Sequence, residues 1–134
     1  MGVEEGIDAF LKGKVFAVVG ASKDRSKYGN KVLRCYLQHG LKAYAVNPKE
    51  SEIEGQVCVP NLASLPEPVH GVSVITPPHI TEKIVAEVAE AGIHHVWMQP
   101  GAESEQALDL GESLGLNVIG DGSCLLVVLG YREQ

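Results

Sequence analysis

Three cations at alternate positions, Lys23, Arg25 and Lys27, follow a glycine and two small residues, Gly20, Ala21 and Ser22. Positive charge in a glycine-led loop is chemistry suited to holding phosphate oxygens. Ahead of it, Val15 to Val19 (VFAVV) is apolar without alternation, the pattern of a strand buried on both faces. Behind it, helical periodicity begins near Tyr28 to Lys31. Strand, glycine, loop and helix in that order form the first β–α unit of a nucleotide-binding α/β fold, where phosphates meet free backbone N–H groups at the helix start. A valine at Gly20 is accordingly expected to abolish binding in a chain that still folds. The Gly-x-Gly-x-x-Gly fingerprint is missing, the next glycine being Gly29, and no Gly-Lys-Ser/Thr closes a P-loop. An ordinary β–α turn with solvated charges is the competing reading.

Three further strand ends carry small, polar or proline residues. The second strand, Lys42 to Val46, ends at Asn47-Pro48-Lys49. An NAD-binding chain places Asp or Glu here for the ribose hydroxyls, whereas an amide and a cation suit a ribose that bears a phosphate. Gly71 to Ile75 runs into Thr76-Pro77-Pro78, and His94 to Met98 runs into Gln99-Pro100-Gly101. Tyr28 and Asn30, at the helix start, can touch a ligand or serve capping and packing. His79 reads as a helix-start residue, His94 and His95 as structural, and Trp97 as core. Cys124 is either a buried apolar cysteine or a thiol near a bound thiol cofactor. No nucleophile stands with a base and an orienting group, so no catalytic residue is assigned.

The elements that must position these residues follow from periodicity. Val3 to Lys12 is a short helix covering one edge of the sheet. Val32, Leu33, Tyr36 and Leu37 form the buried stripe of the next, which Gly40 stops. A brief strand at Val57 to Val59 and one helical turn at Leu62 to Leu65 precede the prolines Pro66 and Pro68. His79 to Ala91 is a helix with Ile80, Ile84, Val85, Val88 and Ala89 on one side and Glu82, Lys83, Glu87 and Glu90 on the other. Glu103 to Leu114 is the last helix and Leu116 to Ile119 the last strand, ahead of an apolar tail, Leu125 to Leu129. The fold class is α/β: a doubly wound parallel sheet of about five strands, in the order 3-2-1-4-5, with helices on both faces.

At 134 residues the chain is one domain, 1–134, with 45% apolar and 21% charged residues. Its net charge of −6 argues against nucleic acid as a partner, so the loop cations must act locally. No apolar run approaches bilayer length, and residues 1–13 carry no secretory pattern. Three cysteines, Cys35, Cys58 and Cys124, match neither a zinc site nor a Cys-x-x-Cys pair, and read as free thiols in a reducing compartment such as the cytoplasm.

Taken together, VVGAS at Val18 to Ser22, AVNPK at Ala45 to Lys49, the Gly-x-x-Cys segment at Gly55 to Cys58, TPP at Thr76 to Pro78 and VWMQPG at Val96 to Gly101 resemble one family. It is that of the small stand-alone CoA-binding proteins, related to the amino-terminal domain of the succinyl-CoA synthetase α subunit. The resemblance covers nearly the whole chain and implies a Rossmann-like fold holding coenzyme A or an acyl-CoA. The pyrophosphate would lie at Gly20, Ala21 and Ser22 with Lys23 and Arg25. The adenine would lie between the first two strand ends and the Thr-Pro-Pro turn, a set comprising Val46, Asn47, Pro48, Thr76, Pro77 and Pro78. Lys49 would take the ribose 3′-phosphate, and Tyr28, Asn30, Gln99 and Gly101 complete the implied site. One segment departs: the family's last strand commonly runs into Asn/Asp-Arg-Cys and then a charged stretch, whereas here Gly122 and Ser123 precede Cys124 and LLVVLGY follows, so the arginine's role does not carry over. An NADP-dependent oxidoreductase and a pure interaction protein that keeps the fold are the two alternatives. The tail is expected to be buried partly on the sheet and partly, with Tyr131, in a homodimer or other protein contact.

Overall fold

The run Val15–Val19 forms β1, and both of its faces are covered, as its unbroken apolar sequence requires. Phe16 and Val18 enter one core cluster, Ala17 and Val19 another. The structure, a computed structural model, describes residues 2–133. β1 pairs in parallel with β2 (Lys42–Val46) on one side and β5 (Gly71–Val74) on the other. Beyond β2 lie β4 (Gln56–Val59), parallel, and then β3 (Glu52–Ile53), antiparallel to β4. Beyond β5 lie β6 (His95–Met98) and β7 (Asn117–Ile119), both parallel. The sheet order is therefore β3-β4-β2-β1-β5-β6-β7.

The count of five strands is corrected to seven. The brief strand expected at Val57 to Val59 takes the third place among the parallel strands, so these read 3-2-1-4-5 with a sixth added at the end. β3 carries no signal of its own because it has only two residues.

Two helices and the tail cover one face. α1 (Val3–Leu11) lies over the edge strand β7, where Asn117 Nδ2 donates to the Gly6 carbonyl at 2.9 Å. It inserts Phe10 against Phe16 (ring centroids 5.2 Å apart) and edge-on to Trp97 (5.3 Å). α2 (Tyr28–Gln38) buries Val32, Leu33 and Tyr36 in the same core and stops at Gly40, whose φ of 72° suits glycine. The other face carries α3 (Pro78–Glu90) and α4 (Glu105–Ser113). α3 starts one residue earlier than expected because Pro78 fits a first helical position, where its missing N–H is not needed. α4 starts later than expected: Ser104 is its N-cap, with Oγ accepting from Ala107 N at 3.0 Å, and Glu103 lies outside the helix.

The tail is not a strand. Leu126–Gly130 forms a π-type helical turn closed by Tyr131 N, which donates to the Leu126 carbonyl at 2.8 Å, and Val127 N and Val128 N both donate to the Cys124 carbonyl at 3.0 Å just before it. Leu125 is wholly buried and Leu126 and Leu129 pack on the α2 side of the core, while Val127 (80% exposed) and Val128 (42%) face outward. Among the described residues no helix is long and apolar enough to cross a membrane.

Candidate functional site

The chain leaves β1 toward α2 on one face and leaves β5 toward α3 on the other, so a crevice opens between the carboxyl ends of these two neighbouring strands. Gly20 stands at its centre with φ 91°. A Cβ there would overlap the carbonyl oxygen of Ile75, so the glycine is required by the next strand's own backbone. A Gly20→Val chain therefore carries a stability cost that the sequence alone does not show. Gly29, which looked like a mere absence of the fingerprint, is needed too: a Cβ on it would overlap the Gly20 carbonyl. It lets α2 sit directly on the loop, the service a third glycine gives in dinucleotide-binding turns.

On the α3 side the crevice deepens into a cavity of about 250 Å³. Five expected residues line it together: Gly20, Val46, Asn47, Pro48 and Thr76. Val19, Pro60, Asn61, Leu62, Ile80, Ile84 and Glu87 complete the wall and were not anticipated. The signal for Pro60 and Asn61 was present, since the brief strand ends in Pro-Asn on the same edge. Ile80, Ile84 and Glu87 share one line along α3 at helical spacing, and Glu87 was wrongly placed on the opposite side. Asn47 closes the corner: its Nδ2 donates to the Ala21 carbonyl at 2.9 Å, and its Oδ1 accepts from Lys49 N at 2.8 Å. Lys49 itself is exposed and makes no ion pair among the described residues.

The loop after Gly20 is strapped from beneath. Asn30 is wholly buried, and its Nδ2 donates to the Ser22 carbonyl at 2.8 Å. Arg34, 5% exposed, donates from Nε to Asn30 Oδ1 at 2.6 Å and from Nη2 to the Arg25 carbonyl at 2.8 Å. Asp24 takes the hydroxyl (2.6 Å) and backbone N–H (2.9 Å) of Ser26, and these bonds hold its carboxyl below the usual range. Lys23 and Arg25 are not free in solution: Lys23 Nζ lies 2.9 Å from Glu50 Oε2, and Arg25 Nε lies 3.4 Å from Glu54 Oε2.

On the α2 side, three residues far apart in sequence meet. Tyr28 OH donates to Gln99 Oε1 at 3.3 Å and contacts Cys124 Sγ, and Gln99 Oε1 also accepts from Leu125 N at 2.9 Å. Gln99 is fully buried, and its Nε2 has no partner among the described residues. Burial, then the Cys124 contact, raises the Tyr28 pKa; burial, then the nearby Cys124, pushes the Cys35 thiol up to about 11. Both stay protonated at neutral pH, and Tyr28 acts as a donor to Gln99. Of the remaining expected residues, Ala21 is buried, Pro77 and Pro78 are exposed at the start of α3, and Gly101 is exposed with its N–H on Glu103 Oε2 at 2.8 Å. None of these four lines the cavity.

Comparisons with known proteins identify the family and the fold. An ADP-forming acetate–CoA ligase of Archaeoglobus fulgidus is 30% identical over 122 residues, which is 84% of this chain and 18% of the ligase. The chain thus spans under a fifth of the length of that curated relative. A conserved hypothetical protein of Pyrococcus furiosus superposes with a TM-score of 0.81 at 37% identity, covering 86% of this chain and 98% of that one. A hypothetical protein of Pyrococcus horikoshii reaches a TM-score of 0.87 at 27% identity, covering 95% and 89%. Residues 14–129, from the start of β1 through the tail, match the family described as the CoA binding domain, and the chain belongs to that family.

Proposed function

We propose that the chain binds coenzyme A, free or acylated, at the carboxyl edge of the sheet and carries out no chemistry of its own. The observation that supports this most directly is the cavity on the α3 side, with Gly20, Asn47 and Thr76 on one wall and a cation-bearing loop beside it. Its volume of about 250 Å³ lies below the roughly 300–1,000 Å³ of pockets that enclose whole drug-sized ligands. It suits one planar ring system, the adenine, with the rest of the ligand outside. Gly20 N–H is taken by the Val46 carbonyl at 3.3 Å, so the diphosphate then lies on the N–H groups of Ala21 and Ser22 with Lys23 and Arg25 as partners. Lys49, next to the cavity residue Pro48, takes the 3′-phosphate. The pantetheine arm runs toward Tyr28, Gln99 and Cys124. The CoA named for the ligase relative is consistent with this ligand; ligation itself forms no part of the reading.

Dephospho-CoA tests the assignment. Loss of the 3′-phosphate removes a charge-assisted contact worth roughly 1.5–3 kcal/mol, so it should bind about ten- to a hundredfold more weakly than CoA in calorimetry. A Lys49→Ala protein should lose that discrimination. Equal affinities for the two ligands in the parent protein would remove Lys49 from the site.

We infer further that the tail forms a two-fold contact between copies of the chain. Val127 and Val128 are exposed beside a depression of about 680 Å³ lined by Gln38, His39 and Leu129 to Arg132. Sedimentation should show a dimer at micromolar concentration, and Val127→Glu should weaken it without loss of fold. Charges at Leu126 or Leu129 would not isolate the contact, because both pack against the core. A strictly monomeric parent protein would reject the contact.

A further inference from the structure

Glu54 is the one residue other than glycine with positive φ (52°) among the described residues. It and Gly55 (φ 76°) are the two central residues of the β3–β4 hairpin, in which Ile53 pairs with Gln56. Two-residue hairpin turns with both φ values positive favour Asn, Asp or Gly at the first position, and a glutamate there is strained. What it gains is reach. Its Oε2 accepts from Asn30 Nδ2 at 3.1 Å and lies 3.4 Å from Arg25 Nε. Asn30 has no solvent exposure, and the same amide group donates to the Ser22 carbonyl at the base of the loop. Glu50 repeats the arrangement nearby, on Lys23.

We propose that Glu54 is an internal counter-anion of the phosphate loop, whose carboxylate occupies donors that a ligand diphosphate takes over and so determines which ligands the site selects. This rests on the reading of Gly20 to Arg25 as the diphosphate site. Carboxylate and phosphate oxygens are the same kind of acceptor for an amide N–H and a guanidinium. The affinity the loop shows is thus the difference between the ligand's hold on Asn30 and Arg25 and Glu54's hold on them. A diphosphate has the charge to displace the carboxylate; a single phosphate ester has much less. Glu54 therefore costs affinity for every anion and gives selectivity for the more highly charged ones. The carboxylate can leave by rotation of its own side chain, since Glu54 is exposed on the turn while Ile53 beside it stays anchored in the core.

Calorimetry on the parent, Glu54→Gln and Glu54→Asn proteins tests this, with CoA, AMP and inorganic pyrophosphate as separate probes. Glutamine removes the charge at constant shape; asparagine tolerates the positive φ but is too short to reach Asn30. Both variants should bind CoA and pyrophosphate about tenfold more tightly than the parent. The preference for CoA over AMP should shrink. Thermal unfolding should show Glu54→Asn at least as stable as the parent. If the parent binds CoA but both variants bind it and pyrophosphate equally or more weakly, Glu54 merely holds the loop in place, and this inference fails alone. If the parent binds neither CoA nor pyrophosphate, and neither variant does, the ligand reading fails with it.

Discussion

A Gly20→Val protein is expected to lose measurable CoA affinity and to melt about 10 °C below the parent. Two costs combine at this position. A β-branched residue at φ 91° is strained by about 1–3 kcal/mol, and its Cβ overlaps the Ile75 carbonyl, which must shift together with the end of β5. With overpacking of about 1–3 kcal/mol added, a total near 4 kcal/mol is expected, and near this chain length each kcal/mol shifts the melting point by about 2–4 °C. Gly40→Ala provides the internal comparison. It also has positive φ, 72°, but a Cβ there meets nothing within 4 Å among the described residues, so only the strain, about 1–2 kcal/mol, remains. Thermal unfolding of the two variants separates strain from overlap. A Gly20→Val protein that melts with the parent would mean that loop and β5 are not packed as described.

Arg34→Met should be the most damaging change outside the crevice. The methionine fills the space but leaves Asn30 Oδ1 and the Arg25 carbonyl without their donors, in a place almost closed to water. Removing one partner from buried charged hydrogen bonds costs about 3 kcal/mol. The loop then loses its strap, and CoA affinity should fall about tenfold or more, read by calorimetry below the melting point. Arg34→Lys should not rescue either property, because an ammonium cannot supply two donors in the guanidinium's fixed fork. At the outer end, Arg34 Nη2 lies 3.8 Å from the exposed carboxylate of Glu133, and Glu133→Gln should change little. Equal damage from Arg34→Met and Glu133→Gln would locate the arginine's contribution in the surface pair rather than in the strap.

The residues legible in the sequence were those whose role is local. An apolar run without alternation, a glycine at a helix end and prolines after a strand each constrain their own backbone, and β1, Gly40 and the Thr76-Pro77-Pro78 bend follow from them. The sheet's outer end was less legible because Glu54-Gly55 is not one of the dipeptides that announce a two-residue turn. Gly29 was missed because its constraint is the Gly20 carbonyl, nine positions away in sequence. Arg34 carried no signal at all: a lone cation among Val32, Leu33 and Cys35 reads as the wet side of α2, and only the folded loop shows it buried. Gln99 was placed in the site by resemblance, but its contacts with Tyr28 and Leu125 span 71 and 26 residues. The tail has a strand's composition, yet it turns helical. After Leu125 enters the core, the chain returns to α2, where Gln38 Nε2 donates to the Arg132 carbonyl at 2.6 Å and Oε1 accepts from Arg132 N at 3.0 Å.

Side-by-side calorimetric titration of the purified protein with CoA and with NADP decides whether the crevice is a CoA site. Both ligands carry an adenine, a diphosphate and a ribose phosphate, so the comparison isolates what this crevice selects. Binding of CoA to a single class of site, one per chain, with no saturable heat from NADP is the predicted result. Saturable NADP binding with none for CoA would rule out coenzyme A as the ligand of this crevice.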